Sequence, residues 1–295
     1  RGVRIATLRA APATLALLHI GGTIKPGESV PGADGARATG ATSVAAALKQ
    51  VRERDDIGAL VVRVASPGGS VLGSDLIWRE LVRTRARKPV VISFGDVAAS
   101  GGYYVALAGS PVFAEAGTIT GSIGVLAGRA NLRGLYDRLG VHKELVSRGR
   151  HAALGSDYAP LDEAGRERLQ HQAAEFYRDF VGKVAQARGL EPAAAAAVAE
   201  GRVWTGRQAQ ARGLVDRLGG LEEAFDAAKE AAGLPADARV GVERFPRPRR
   251  LWKLSLDLNL PTQSVLADLF GVAPSLRFVL RERVWAVLPF SLRFF

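Results

Sequence analysis

The sequence holds no cysteine and no methionine among its 295 residues. Without cysteine there are no disulfides and no thiolate metal sites, and the chain suits an oxidising compartment. Methionine is missing even at position 1, where the chain reads Arg1-Gly2-Val3-Arg4. The expectation is therefore a piece, or a processed product, of a longer protein. Long hydrophobic runs are also missing: no stretch reaches the roughly 18–20 apolar residues that cross a bilayer, and no signal peptide opens the chain. Any membrane anchor is expected outside these residues. Acidic residues are the scarcer sign, 29 against 40 basic, for a net charge of +11. The arginines scatter along helical faces except at Arg247-Pro248-Arg249-Arg250. With no zinc-finger spacing, recognition helix or aromatic RNA motif, nucleic acid is not an expected partner. What is present is a 47% hydrophobic content, enough for a packed core and too much for disorder.

Apolar periodicity places strands at Thr14–Ile20, Ala59–Ala65, Pro89–Phe94, Val112–Ala114, Ile123–Leu126 and Val141–Val146. It places helices at Thr42–Arg54, capped by Thr42 or Ser43, and at Val71–Ala86, Tyr103–Ala108 and Leu132–Leu139. Gly21–Gly40 reads as a loop. Strands alternating with helices predict an α/β fold with parallel βα units. From Leu161 the pattern turns helical, with Asp162 as a cap of a helix running to about Arg188, then helices at Pro192–Glu200, Gly206–Arg212 and Leu221–Ala232. Residues 239–295 read as an appendage whose apolar end, Val284–Phe295, packs on the main unit or touches a membrane or partner.

Three segments can carry chemistry. In Ala98-Ala99-Ser100-Gly101-Gly102, a strand feeds a turn of very small residues and then a helix. A serine there is surrounded by free backbone N–H groups, and its neighbours let a carbonyl approach closely. This is the mechanics of a nucleophile elbow, although Ala98 departs from the G-x-S-x-G pattern; Ser100 is alternatively a simple N-cap. Ser66-Pro67-Gly68-Gly69-Ser70 follows a buried strand, and its glycines can aim N–H groups at an oxyanion, each such donor being worth roughly 3–4 kcal/mol; it is alternatively a plain connection. Thr120-Gly121-Ser122 is a turn in which Ser122 can orient a base. The base itself is not evident. His19, His142, His151 and His171 sit in no motif, and none of Lys25, Lys49, Lys88, Lys143, Lys183, Lys229 and Lys253 lies in an apolar stretch that would hold an amine neutral.

Taken together, Val61–Ile77, Lys88–Ala108, Gly117–Val125 and Gly201–Gly220 resemble the signal peptide peptidase A (protease IV) family of serine–lysine peptidases over about residues 14–233. The resemblance implies a caseinolytic-protease/crotonase-like fold in a peptidase domain at 1–238, with 239–295 appended. It implies self-association into a ring or dome, hydrophobic peptide substrates such as cleaved signal peptides, and a place on the bacterial membrane facing the periplasm or extracytoplasmic side. By motif position Ser100 is the nucleophile, Gly101 with Gly68 or Gly69 supplies the oxyanion donors, and Ser122 holds the base lysine. No metal or cofactor is implied. Where short family members carry that lysine, this chain reads Gly149-Arg150-His151-Ala152. The chain thus resembles the C-terminal half of the long tandem form, and the lysine is expected from an upstream half or a neighbouring subunit. The alternatives are a non-catalytic scaffold half, a crotonase-like acyl-CoA enzyme, and a peptidase using His151 as base.

Overall fold

The computed structural model describes residues 14–31, 37–246 and 284–287. The basic cluster at 247–250, Lys253 and the apolar end past Val287 lie outside them.

Three strands form the centre: β1 (Thr14–Gly21), β5 (Ile57–Ser66) and β7 (Val90–Ala99). They pair in parallel, with Leu18 opposite Val62 and Val62 opposite Ile92. Strand β5 reads IGALVVRVAS and is apolar on both faces because both are covered, as parallel sheets require. One face packs Leu18, Leu60, Val62, Val64, Ile92 and Phe94 against helices α1 (Ala41–Glu53), α2 (Val71–Arg85), α3 (Gly101–Ala106) and α5 (Glu163–Arg188). The other packs Leu15, Ala59, Val61, Val91 and Phe113 under α8 (Leu221–Ala231), which contributes Ala224 and Ala228. Burying each such Val, Leu or Phe is worth about 1.5–3 kcal/mol.

Strand β7 is long enough to take two neighbours in turn. Its first half pairs with β8 (Val112–Ala114) and its second with β9 (Ile119–Gly121), both in parallel. β11 (Val203–Thr205) joins β9 antiparallel, and β12 (Arg217–Leu218) joins β8. On the far edge β13 (Gly241–Phe245) lies parallel to β1, so the main sheet takes in residues beyond 238. A second, smaller sheet of short strands sits beside it: β2 (Ile24–Lys25), β3 (Val30–Pro31), β4 (Arg37–Gly40), β6 (Gly68–Ser70), β10 (Leu126–Ala127) and β14 (Val284–Val287). The architecture is a mixed parallel and antiparallel sheet core followed by helices, which include α6 (Pro192–Ala197) and α7 (Gly206–Ala211).

Most helix termini match the sequence signals. Asp162 caps α5 by accepting from the Gly165 N–H at 2.8 Å, and Thr205 with Gln208 forms a capping box on α7. Ser70 caps α2 through the Gly73 N–H. Four expectations need correction. Gly40, not Thr42 or Ser43, is the N-cap of α1, because the Ser43 hydroxyl is engaged with the Ser29 N–H and Glu28. The expected loop at 21–40 contains β2 and β3 and runs into β4, held by Thr39, whose hydroxyl donates to the Gly21 carbonyl and accepts the Gly21 N–H. The expected strand Ile123–Leu126 is displaced. The Thr118 and Thr120 hydroxyls bond the Gly95 and Ala98 carbonyls and draw the preceding segment onto β7 as β9 instead.

No strand forms at Val141–Val146, where no sheet edge is offered and a lone strand has no ladder to join. That segment belongs to an exposed arm, residues 126–160, carrying the short helix α4 (Arg133–Arg138) with no buried residue. Polar contacts hold the arm: Asp157 accepts from Tyr136 at 2.5 Å and from Lys143 at 2.9 Å, and Lys143 lies 3.9 Å above the Tyr136 ring. Among the described residues no helix is long and apolar enough to cross a membrane.

Candidate active site

The three segments singled out in the sequence converge where β5, β7 and β9 end. Ser66 pairs with Ala98, and Ala99 with Gly121. Past these pairs the chain turns sharply at Ser100, whose φ of 52° and ψ of −115° are uncommon for a residue with a side chain. Two backbone hydrogen bonds fix that conformation: the Ser100 N–H donates to the Gly121 carbonyl at 2.8 Å, and its carbonyl accepts the Tyr104 N–H at 2.8 Å, opening α3. Non-glycine residues held at positive φ cluster at sites where geometry serves chemistry. Ser122, the next residue after Gly121, also has positive φ, 49°, and its N–H donates to the Arg202 carbonyl at 2.7 Å. Strand β11 thereby holds Ser122 from behind, with Trp204 opposite Thr120 and its indole N–H on the Val198 carbonyl.

Ser100 is 1% exposed and Ser122 3% exposed. The Ser100 Oγ is buried without a hydrogen-bond partner among the described residues. Of the described lysines, Lys49, Lys88, Lys143, Lys183 and Lys229 bond elsewhere: Lys49, Lys143, Lys183 and Lys229 to carboxylates, and Lys88 to the Arg54 and Ile57 carbonyls. Burial lowers the Lys88 amine from its ordinary value, but Lys88 sits at the opposite end of β5 from Ser66. His151 is exposed on a turn. No lysine or histidine is brought onto Ser100.

The glycine loop lies against the first turn of α3. A Cβ on Gly102 would come within 2.7 Å of the Ser66 carbonyl oxygen, so only glycine lets the two backbones approach this closely. Gly69 has φ 155° and faces the Ile24 backbone, where a Cβ would meet the carbonyl oxygen at 2.0 Å. Ser66 pins the loop: its hydroxyl donates to the Gly22 carbonyl at 2.6 Å and accepts the Gly68 N–H at 3.1 Å. The Gly68 N–H is therefore engaged within the loop, which leaves Gly69 and Gly101 as the less committed of the three expected donors.

Sequence reasoning passed over Gly22, Ile24, Ser66 and Gly102 as parts of this site. Each acts through backbone proximity across distant segments. The adjacent glycines at 21–22 and 101–102 were the only local signal. Reasoning also passed over Tyr104, one turn into α3. Its hydroxyl lies 2.8 Å from Asp75 on α2 and 3.0 Å from Asp179 on α5, its ring packs 5.0 Å from Phe180, and burial raises its ionisation above the usual tyrosine range. Tyr104 ties the helix that opens at Ser100 to two neighbours.

The model of peptidase family S49 matches residues 83–235, just over half of the chain. This chain belongs to that family. It is 40% identical over 238 residues to a chloroplastic serine protease SPPA of Arabidopsis thaliana and 34% identical over 279 residues to Protease 4 of Salmonella typhi. The match covers 79% and 94% of this chain but only 35% and 41% of those proteins. A putative protease of Synechocystis is 37% identical over 236 residues, covering 80% of this chain and 84% of that protein. Among solved structures, a ClpP1 mutant from Listeria monocytogenes aligns over 72% of this chain and 95% of that one, with a TM-score of 0.46 and 14% identity. Membership of S49 sets aside the acyl-CoA alternative. The matched segment contains Ser100, Ser122 and the β11 backing, so the family's characteristic stretch coincides with the converging turns.

Proposed function

We propose that this chain is the serine-bearing part of an endopeptidase with Ser100 as nucleophile. The observation that carries the reading is the Ser100 hydroxyl: held at positive φ, buried, and without a partner. A buried unpartnered hydroxyl costs free energy, and serine is a poor nucleophile until a base takes its proton. Both facts fit a base that arrives from outside the described residues, a neutral lysine from an upstream half or a neighbouring subunit, seated by Ser122. That base takes the Oγ proton as Oγ bonds the substrate carbonyl carbon. The carbonyl oxygen becomes an oxyanion facing the Gly101 and Gly69 N–H groups. The C–N bond then breaks as the proton passes to the leaving amine, and water hydrolyses the ester.

The substrates are extended hydrophobic peptides, cleaved signal peptides among them, taken at a membrane surface. The fold is of the caseinolytic-protease/crotonase kind, and copies assemble into a ring. The exposed arm supports assembly, for it presents Leu135, Leu139, Leu145 and Val146 to solvent. The second reading is a non-catalytic scaffold half, favoured by the same missing base.

Labelling with a fluorophosphonate probe separates them. The chain alone is expected to stay unlabelled, to become labelled once an upstream half is added, and to lose that labelling with Ser100→Ala. Silence of the folded chain with every partner supplied favours the scaffold reading.

A further inference from the structure

Strand β14 comes from far along the chain and lies in the site. Val284–Val287 runs antiparallel between β6 and β10, with Trp285 opposite Ser70, Ala286 opposite Gly69 and Val287 opposite Gly68. On its other side Trp285 faces Leu126, and Val284 faces Ala127. The segment also touches α2 and α3, the helices that open after Ser70 and Ser100. It therefore fills a slot walled on one side by the glycine loop and on the other by the strand that follows Ser122.

Three features bear on what this slot is. First, β6 and β10 have no direct pairing; β14 is the only described strand that joins them. Without it, two edges with free backbone N–H and C=O groups face each other, a ready template for an added strand. Second, two of the three β6 residues are glycines. Main-chain hydrogen bonds then supply the affinity, and the glycine wall selects little by side chain. Third, the occupant is a four-residue strand at the end of a long connection from β13, so loop closure opposes its seating. A short strand held mostly by backbone bonds in a sequence-tolerant slot is exchangeable.

We propose that the slot between β6 and β10 binds an extended peptide, and that this chain's own segment around Val284–Val287 is its resident occupant, competing with any peptide that arrives from solution. The competition extends the peptidase reading, which identifies the displaced peptides as substrates, but binding to the slot requires no chemistry at Ser100. A connection of about 40 residues gives an effective concentration on the order of 1 mM. Against a dissociation constant of about 0.1 mM for the same peptide free in solution, the seated tail weakens outside binding by about tenfold.

The test uses the full chain carrying Ser100→Ala, so that nothing is cleaved, and a fluorescein-labelled peptide Arg-Val-Trp-Ala-Val-Leu-Pro-Phe copied from residues 283–290. Adding Ala286→Pro removes an N–H from the middle of the ladder and puts a ring where a central strand does not tolerate one. By fluorescence anisotropy the peptide is expected to bind this variant about tenfold more tightly than the parent, and a peptide with the same proline is expected to bind neither. Equal affinity for the two chains, or binding to neither, overturns the proposal.

A second measurement does not depend on the proline variant folding. The chain has no cysteine, so Ala127→Cys with Val284→Cys creates a single pair on facing positions. Oxidation is expected to lock the segment in and abolish peptide binding, and reduction to restore it. Failure of the pair to close, or binding indifferent to its closure, overturns the proposal. Fluorophosphonate labelling is read separately, so failure of the peptidase reading leaves these outcomes intact.

Discussion

Replacing Ser100 with alanine should make this chain more stable. The hydroxyl is 1% exposed and has no partner among the described residues. Burying a hydroxyl unsatisfied costs about 1–3 kcal/mol. Alanine removes that cost and loses only the oxygen's dispersion contacts, a few tenths of a kcal/mol at about 0.1–0.2 per atom pair. The backbone stays at φ 52°, so the strain of the turn is retained. The net gain is about 1–2 kcal/mol, which at roughly 2–4 °C per kcal/mol for a domain of this size raises Tm by about 2–8 °C. Ser100→Gly should gain more, because glycine also relieves the positive φ at a cost of about 1–3 kcal/mol to other residues, partly offset by a freer unfolded chain. The assay is thermal and urea denaturation of the three chains under identical conditions. A Ser100→Ala chain no more stable than the parent would mean that the hydroxyl has a partner within the chain, which would refute the inference of a base from outside. With an upstream half bound, the gain should shrink, since the incoming lysine would then satisfy the hydroxyl.

The other predictions concern the frame around that serine. Gly102→Ala puts a Cβ 2.7 Å from the Ser66 carbonyl oxygen; overpacking of this kind costs about 1–3 kcal/mol, and the forced retreat of the glycine loop should cut fluorophosphonate labelling of the assembled enzyme by at least about tenfold, since a 1 Å misplacement costs on the order of 100-fold. Denaturation midpoints and labelling rates check the two effects. Ser74, buried in α2 with an unpartnered hydroxyl, should behave like Ser100 in stability alone: Ser74→Ala gains about 1–2 kcal/mol and leaves labelling unchanged. Asp216 is partly buried, which raises its ionisation, but the Arg188 guanidinium at 2.6 Å and the Val112 N–H outweigh burial and hold the carboxyl below its ordinary 3.8. Its contribution is therefore full above about pH 4 and is lost as pH falls through the lower folded value. Asp216→Asn should lower stability at pH 7 and flatten the acid limb of the stability profile, whereas an unchanged limb would show that the pair adds nothing.

Much of the site was readable residue by residue. Ser100, the 66–70 loop and Ser122 each stood out because small residues after an apolar strand are a local pattern, and the structure brings these turns together. The arm was misread because Val141–Val146 is apolar enough for a strand, but a strand exists only where an edge receives it. The tail was readable as apolar, yet nothing in its composition says that residues 284–287 return to Gly68 and Gly69.

The sequence by itself determined the elements, their order and the residue types able to react, because steric preference and hydrophobic period act within about ten neighbouring residues. Only the tertiary structure decided who touches whom: that the Gly121 carbonyl anchors the Ser100 turn, that Ser66 takes the Gly68 N–H, that no described lysine or histidine bonds the Ser100 hydroxyl, and that a strand from the far end lies in the slot. Those contacts join segments tens to hundreds of residues apart. They are settled by which surfaces can be buried together and which backbone groups still need partners, a competition that no local pattern records.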